Sequence, residues 1–559
     1  MNTTAKLRAR VSPEAISKVT RIFNGSLDDI FNELLQNARR AGASMVAISA
    51  LHLEDACVIT VSDDGAGIDD PANLVSLGQS DWSDECRARE DPAGMGFFSL
   101  AGRDTVVSSA SATASFSLAI TGPAWTGEAD IDVLPWQGPR GTTISFTFDA
   151  IRDGHLDRAV KAAALHFPLQ VTYNDEPLPR VDFLAGAHFV IEREGYRIGV
   201  YRQVNLDHVP TINFHGLTLR HKLPSIKEVH HTLWRVKVDI IDAPELVLVL
   251  PARKEIYRNP ALDRLMEIAT DAIYSAISKE PFHRLAHKDW LAARLAGCGL
   301  PEAARQLPSW QGHCARDSYH EIAPYAEIDP TAAIYDDGDA CDSVTFGRAI
   351  AFSHGDDRSI DSNRLIAPAD ITFFAAVPQY QGYSWYVALS CYAQTGVTHR
   401  QHDGSETACE TDAVTFRPDV ITIELTDQHD KRLNLLSDFA IQEGENCWSD
   451  ADEARIALTR TASIDPGDLT ELIIDAIFSP SDDSDADSYD TQETRFRHDA
   501  AVRAHAILEG EDAAIIAGIR MAFADRVAWR IPHGRTLQLS WSHENTSLEL
   551  RAASDAKPQ

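Results

Sequence analysis

Residues 28–41 limit the choice of fold more than any other part of the sequence, because they form a strongly amphipathic helical pattern. Apolar side chains recur there every three or four residues, which predicts an α-helix with one buried face. Ser26 or Asp28 can cap its first turn, and Gly42 is suited to end it. Strands are predicted to follow at residues 45–50, 57–62, 105–109, 116–120 and 142–148. A helix followed by strands, a glycine loop and a meander predicts an α/β sandwich.

The chain of 559 residues is too long for a single core, and its charge divides it into three blocks. Residues 1–150 carry 11 basic and 20 acidic side chains, residues 151–290 carry 19 and 18, and residues 291–559 carry 21 and 45. We therefore expect an N-terminal domain over 1–150, a second α/β domain over 151–290 and an acidic, mixed α+β region of unknown role over 291–559. Within the last block, the stretch near 480–494 is expected to be a disordered loop, because its acidic side chains repel one another.

The overall composition disfavours several classes of protein. A formal net charge of −32 argues against a protein that mainly grips nucleic acid, because a phosphate-binding surface must be basic. No apolar run approaches the length of about 18 residues that a membrane span requires, and residues 1–11 lack the apolar segment of a secretory signal. The eight cysteines are scattered, as is typical of reduced thiols. The expectation is a cytoplasmic protein with no membrane partner.

Two cysteines and two histidines are close enough in sequence to be considered as zinc ligands: Cys391, His399, His402 and Cys409. Their spacing lacks the close pairs of zinc fingers and zinc knuckles. Buried thiols and surface imidazoles are therefore the expected roles, rather than a structural zinc site.

Glu33 and Asn37 lie four residues apart in the predicted helix, so they project from one face. The amide oxygen of Asn37 is a hard ligand that suits Mg²⁺. The carboxylate of Glu33 can polarise a water molecule for attack on phosphorus. Taken alone, a pair of this kind is more often part of a solvated helix face.

Two glycine-rich segments follow at positions where a backbone could approach a ligand closely. Asp63 ends a predicted strand before Gly65 and Gly67, and its carboxylate, which only accepts hydrogen bonds, suits the exocyclic amine of adenine. A plain Asp-Gly turn is the alternative. Gly94 and Gly96 open an apolar run predicted to be helical, whose first backbone amides can hold phosphate. Each segment by itself is weakly informative.

The order of these segments resembles that of the GHKL superfamily, which includes DNA gyrase B, the ninety-kilodalton heat-shock chaperones, histidine kinases and MutL. The four boxes of that superfamily are matched in order by residues 33–41 (ELLQNARRA), 63–67 (DDGAG), 94–99 (GMGFFS) and 140–142 (RGT). The resemblance covers roughly residues 20–148 and is closest to the chaperone and MutL branch. It implies a Bergerat ATP-binding fold for residues 1–150 and ATP and Mg²⁺ as cofactors.

The resemblance also implies a role for each matching residue. Glu33 would be the general base, and Asn37 would be the Mg²⁺ ligand. Asp63 would bind the adenine amine, with Thr142 assisting through water, and residues 78–93 would form a lid. The remaining positions are glycines that would shape the base pocket or cradle phosphate: Gly65, Gly67, Gly94 and Gly96. The sequence departs from the pattern at Arg40, where chaperone and MutL members usually carry aspartate.

Residues 151–290 extend the resemblance more loosely, to the transducer domain of clamp-type members. An apolar strand is predicted at 245–250, and it is followed by Arg253, Lys254 and a strong helix from residue 260. In that family a basic residue after this strand reaches the γ-phosphate, where it stabilises charge on the transferred phosphoryl group. Arg253 is the better positional match and Lys254 is the alternative. An ordinary exposed Arg-Lys pair is the competing interpretation.

Together these patterns predict a Mg²⁺-dependent ATPase that works as a nucleotide-gated homodimeric clamp, with chaperone-like or protein-remodelling work on an unidentified protein partner. A DNA-processing clamp of the MutL or topoisomerase type is one alternative, since His221, Lys222, Lys227, Arg235 and Lys237 leave a local basic patch open in the middle block. An ATP-binding switch without turnover is another, and the intact Glu33 speaks against it. The kinase branch is disfavoured because the first histidine, His52, lies inside the ATP domain.

Overall fold

The computed structural model describes residues 26–76, 96–149, 154–249, 255–310, 323–336, 343–353, 371–401, 403–408, 415–442, 451, 454–481, 483, 485–542 and 546–552. It is 30% helical and 32% strand, with several separate sheets, so the mixed α/β class expected from the sequence is confirmed at that level. The chain divides into two compact units, Met1–Ala303 and Ala304–Gln559. No helix in the described ranges has the length and apolarity to cross a membrane.

The first unit contains a long run of strands between a few helices. Its helices are α1 (Leu27–Arg40), α2 (Ala72–Val75), α3 (Gly122–Trp125), α4 (His155–Ala164), α5 (Pro260–Ile277) and α6 (His287–Leu295). Its strands are β1 (Met45–His52), β2 (Ala56–Asp63), β3 (Thr105–Ala110), β4 (Ser115–Ile120), β5 (Val133–Pro135), β6 (Gly141–Asp149), β7 (Gln170–Tyr173), β8 (Glu176–Pro177), β9 (Phe189–Arg193), β10 (Tyr196–Arg202), β11 (Ile212–Phe214), β12 (Leu217–Leu219), β13 (Ser225–Lys227) and β14 (Leu233–Ile240).

The first sheet has the strand order β5-β4-β3-β6-β2-β1-β7-β8 and forms one core with α1 and α4. β1 runs antiparallel to β2 and parallel to β7, so α4 is the crossover that returns the chain to the same sheet. Apolar side chains of both helices and of the central strands are buried together. This sheet takes in residues up to Pro177, past residue 150, where the charge pattern had suggested a boundary.

The second sheet has the order β12-β11-β14-β10-β9, with β13 also paired to β14. Helix α5 packs against it and begins where Asn259 accepts a hydrogen bond from the backbone N–H of Leu262 at 3.0 Å. The strand predicted at 245–250 is wrong for the described residues, which make only an isolated bridge between Leu248 and Ile256. Proline at position 244 cannot donate to a ladder, and Leu246 and Leu248 are buried without one.

The second unit carries shorter sheets and a C-terminal helical group. Its helices are α7 (Ser343–Ser353), α8 (Ser384–Val387), α9 (Pro466–Ile477), α10 (Tyr489–Glu509) and α11 (Glu511–Arg526). Its strands are β15 (Gln306–Pro308), β16 (Tyr325–Glu327), β17 (Ala332–Asp336), β18 (Thr372–Ala375), β19 (Ser390–Arg400), β20 (Glu406–Ala408), β21 (Thr415–Phe416), β22 (Val420–Asp427), β23 (Arg432–Ser437), β24 (Phe439–Gln442), β25 (Arg455–Leu458), β26 (Arg535–Trp541) and β27 (Thr546–Ala552). The sheet orders are β18-β17-β19-β22-β23, β21-β25-β24, β15-β16 and β26-β27.

Two expectations for this unit are corrected. The apolar run at 385–391 predicts a strand from its sequence, but Trp385 lies in the short helix α8 and packs against Tyr380 and Tyr383 in an aromatic cluster. The stretch near 480–494 was expected to be a disordered loop, yet α10 begins inside it at Tyr489. Ser488 caps that helix, and burial of its apolar face outweighs the repulsion between nearby acidic groups.

Candidate functional site

Helix α1 presents Glu33 and Asn37 because its other face is anchored in the core. Of the two expected caps, Ser26 is the one used: it exchanges hydrogen bonds with Asp29, each 3.3 Å long between backbone nitrogen and side-chain oxygen. Glu33 and Asn37 are half-buried on the side that faces away from the core. The fully buried side belongs to Leu27, Ile30, Phe31, Leu34, Leu35 and Ala38.

Gly96 lies directly against the carboxylate of Glu33. Oε2 of Glu33 is buried from solvent, and a Cβ atom placed on Gly96 would overlap it and come within 2.9 Å of Cδ. Gly96 opens a 3-10 helix, Gly96–Leu100, which packs against α1 in place of the longer helical run expected there. Any side chain at position 96 would therefore displace the Glu33 carboxylate. Gly94 and residues 78–93 lie outside the described residues.

Asp63 is the last residue of β2 and faces Thr142 of β6 across an antiparallel pair. Its Oδ1 accepts a hydrogen bond from the backbone N–H of Gly65 at 2.9 Å. Burial raises the pKa of Asp63, and hydrogen bonds from the backbone of Gly65 and Thr142 offset only part of that rise. Thr142 is buried and its hydroxyl lies 3.1 Å from that of Ser109. One oxygen of Asp63 is thus held by its own turn in a partly desolvated place.

The adjacent carboxylate, Asp64, has a structural role instead. It accepts hydrogen bonds from the backbone N–H groups of Ser44 at 2.7 Å and Met45 at 3.1 Å, and from the Ser44 hydroxyl. The hydrogen bond from the Ser44 side chain is the largest cause that lowers the pKa of Asp64. Asp64 therefore fastens the start of β1 to the end of β2, which leaves Asp63 as the carboxylate available to a ligand.

The glycine turn after Asp63 lies against the C-terminal end of α1. A Cβ atom on Gly65 would come within 2.8 Å of both the Ala41 Cβ and the Asp63 Oδ1, and the backbone N–H of Ala66 donates to the Ala41 carbonyl at 2.8 Å. Gly67 has a φ of +77°, in the left-handed region that glycine adopts without strain. The turn is therefore packed directly onto the helix that carries Glu33 and Asn37.

These contacts align the predicted residues along one face of α1. Glu33, Asn37 and Ala41 are spaced four residues apart, so they form a row roughly 12 Å long. Gly96 lies at the Glu33 end of this row, and Gly65 with Asp63 lies at the Ala41 end. The structure thus brings together Glu33, Asn37, Asp63, Gly65, Gly96 and, through its pairing with Asp63, Thr142. Arg253 and Lys254 lie outside the described residues.

Arg40 contacts the residue assigned to the metal. Its guanidinium donates a hydrogen bond to Oδ1 of Asn37 at 3.2 Å. Because Mg²⁺ and a guanidinium repel each other, ligation by this oxygen requires the Arg40 side chain to turn away. The sequence showed that Arg40 departs from the family pattern, but it did not show this contact.

Gln36 is a residue that the sequence reasoning missed. It is 4% exposed, and its Nε2 donates a hydrogen bond to the backbone carbonyl of His215 at 2.7 Å. His215 lies in the tight turn between β11 and β12, where it adopts a φ of +52°. Helix α1 is therefore hydrogen-bonded to the second sheet. No sequence signal pointed to it, because Gln36 lies on the face of the helix opposite the apolar stripe.

The candidate zinc residues do not form a cluster in the part of the chain that is described. There, no three His, Cys, Asp or Glu side chains are grouped closely enough to hold a metal ion. The surface position expected for His399 is wrong, because His399 lies buried in β19 with its ring centroid 4.6 Å from that of Phe416, and burial lowers its pKa to about 4. His402 and Cys409 are outside the described residues.

Neither a protein-family model nor a curated protein matches this sequence. The interpretation of the site therefore depends on its own geometry.

Proposed function

We propose that the first sheet and α1 form a Bergerat-type site of the GHKL superfamily, which binds ATP with Mg²⁺ and hydrolyses it. The observation that carries this proposal is the row along α1, with Gly96 against Glu33 at one end and the Asp63 turn at the other. A row of this length places Asp63, which suits the adenine amine, and Glu33, which suits phosphate chemistry, at opposite ends. Because positions 65 and 96 carry no side chains, the backbone at each of them can lie close to its end of the row.

At the adenine end of the row, Asp63 would accept a hydrogen bond from the exocyclic amine of adenine. Its Oδ1 is already oriented by Gly65, so the carboxylate loses little freedom when the base binds. Partial desolvation strengthens such a hydrogen bond, because the local dielectric constant is lower than that of water. Thr142, buried beside Asp63 in the paired strand, would hold a water molecule against the same ring.

At the phosphate end, Glu33 would orient and deprotonate the water that attacks the terminal phosphorus. The carboxylate of Glu33 fills the space that a side chain at position 96 would take. The position of that carboxylate therefore depends on the glycine. Asn37, one turn further along, carries an amide oxygen of the kind that Mg²⁺ accepts, and bound Mg²⁺ would neutralise charge on the phosphate oxygens. Arg40, after leaving Asn37, would supply a positive charge near the same phosphates.

The hydrogen bond from Gln36 to His215 supports a clamp rather than an isolated ATPase. It joins the helix that carries Glu33 and Asn37 to the β11–β12 hairpin of the second sheet. A displacement of α1 on nucleotide binding would pull on that hairpin. We propose that this coupling opens and closes a homodimer that acts on a protein partner in the cytoplasm.

Replacement of Gln36 by methionine is expected to uncouple the hairpin from the nucleotide. The side chain keeps its length but loses the amide donor, so the partly buried carbonyl of His215 is left without that hydrogen bond. We expect ATP binding to change by about twofold or less. In hydrogen-exchange measurements, ATP should alter exchange of the amides at 212–219 in the native chain but not in Gln36→Met.

The matched control for this experiment is Gln170→Met, which makes the same substitution at an exposed glutamine of β7. It should retain the ATP-dependent change in the hairpin. An undiminished response of residues 212–219 in Gln36→Met would contradict the proposed coupling.

The proposed activity is tested directly by titrating the full chain with ATP in a calorimeter and by measuring phosphate release. We expect saturable binding and a turnover that stops when EDTA removes Mg²⁺. Binding without any phosphate release would favour the switch that does not turn over. Failure of the chain to bind ATP in the presence of Mg²⁺ would overturn the proposal.

A further inference from the structure

A cavity of about 400 Å³ opens beside the second sheet, among residues that the ATP site does not use. Its lining comes from residues 206–211, from residues 220–225 and from β14. The volume lies in the lower part of the range found for small-molecule sites. Apolar side chains contribute part of this lining: Leu206, Val209, Leu223 and Val236.

Three cations line the same cavity against one carboxylate. Arg235 is paired with Asp207 at 2.8 Å. Neither Arg220 nor Lys222 forms an ion pair with any carboxylate in the described ranges of the chain. Two uncompensated positive charges therefore face one small volume, in a protein whose formal net charge is −32. Such a site concentrates positive potential where an anion can enter.

The segment that carries these two cations is held in place before any ligand arrives. The hydroxyl of Thr211 donates to the carbonyl of His221 at 2.6 Å, and the backbone N–H of His221 donates back to that hydroxyl at 3.0 Å. Burial lowers the pKa of His221, so its ring is neutral near pH 7 and adds hydrogen-bonding capacity rather than charge. A preordered wall reduces the entropy lost when a ligand binds.

Several arginines elsewhere around the second sheet are paired with carboxylates, which neutralises part of the basic charge outside the cavity. Arg193 pairs with Asp271, Arg202 pairs with Glu280, and Arg264 pairs with Glu194. Arg197 is bonded to Asp182 and Asp239, and Lys237 lies over the rings of Phe183 and Tyr201. A duplex nucleic acid needs a continuous basic footprint, whereas a small ligand needs only the local pair.

We propose that this cavity binds a small organic phosphate. The phosphate group would lie between Arg220 and Lys222, because guanidinium and ammonium groups form charge-assisted hydrogen bonds with phosphate oxygens. The organic part would lie on Leu206, Leu223 and Val236. This site is independent of the ATP site, and it assigns a binding role to part of the basic cluster seen in the sequence.

The test is a calorimetric titration of the full chain with phenyl phosphate, which offers one phosphate and one apolar ring. We expect saturable binding that Arg220→Ala/Lys222→Ala weakens by about tenfold or more. The matched control is Arg193→Ala/Lys279→Ala, which removes the same charge from exposed positions away from the cavity. The control should bind as the native chain does, and equal thermal unfolding temperatures of the three proteins establish that all are folded.

Two results would overturn the proposal. The first is equal affinity for phenyl phosphate in the native chain and the cavity variant, or no binding by the native chain. The second is salt-sensitive binding of a short DNA duplex that the cavity variant loses, combined with no binding of phenyl phosphate. The second result would make these cations a nucleic-acid contact instead.

Discussion

Asp63→Asn is expected to weaken ATP binding by about a hundredfold or more, which corresponds to about 2.7 kcal/mol. The amide has nearly the shape of the carboxylate, and its oxygen can still accept the hydrogen bond from the Gly65 backbone. Its nitrogen then points a donor at the donor amine of adenine, inside a partly desolvated place. Calorimetry with the full chain measures this loss directly.

The neighbouring aspartate supplies the control for this experiment. Asp64→Asn makes the same chemical change one residue away, where the carboxylate binds the start of β1 rather than a ligand. It is expected to lower stability modestly while changing ATP affinity by about twofold or less. Normal affinity in Asp63→Asn, or an equal loss in both variants, would contradict the assignment of Asp63.

The pH dependence of binding gives a second readout of the same residue. Burial raises the pKa of Asp63, so on acidification its carboxylate takes up a proton at a higher pH than an ordinary aspartate, whose pKa is about 3.9. The protonated group offers a donor where the adenine amine needs an acceptor. ATP affinity should therefore begin to fall above the ordinary aspartate range, and this fall should be missing in Asp63→Asn.

Glu33→Gln is expected to reduce ATP hydrolysis by about a hundredfold or more while leaving ATP affinity within about twofold. Glutamine occupies the same space beside Gly96, so the local packing is preserved. It cannot take a proton from the attacking water, because a neutral amide is not a base near neutral pH. Phosphate release and calorimetric titration, measured on the same preparation, separate turnover from binding.

Glu54→Gln is the matched control, since it removes an exposed carboxylate between β1 and β2 that the site does not use. Its hydrolysis should equal that of the native chain. Undiminished turnover in Glu33→Gln would remove Glu33 as the general base. Together the variants distinguish the two ends of α1, because Asp63→Asn is expected to weaken binding and Glu33→Gln is expected to slow only the chemical step.

Local sequence patterns predicted α1, its buried stripe and the strand that ends at Asp63. These features depend on residues within one or two turns of each other, where side-chain periodicity and capping chemistry operate. The same reasoning failed at 245–249 and at Trp385, because there burial and aromatic packing replaced the ladder that the apolar runs suggested.

Contacts between distant parts of the chain settled the remaining features of the site. The sequence selected Asp63 by its place at the end of a strand, but only the approach of Ser44 shows that Asp64 has a structural role. The contact of Gly96 with Glu33, the link from Gln36 to His215 and the basic cavity all join residues far apart in sequence. Periodicity reports which face of an element is buried, but the partner of that face is chosen by the packing of the whole fold.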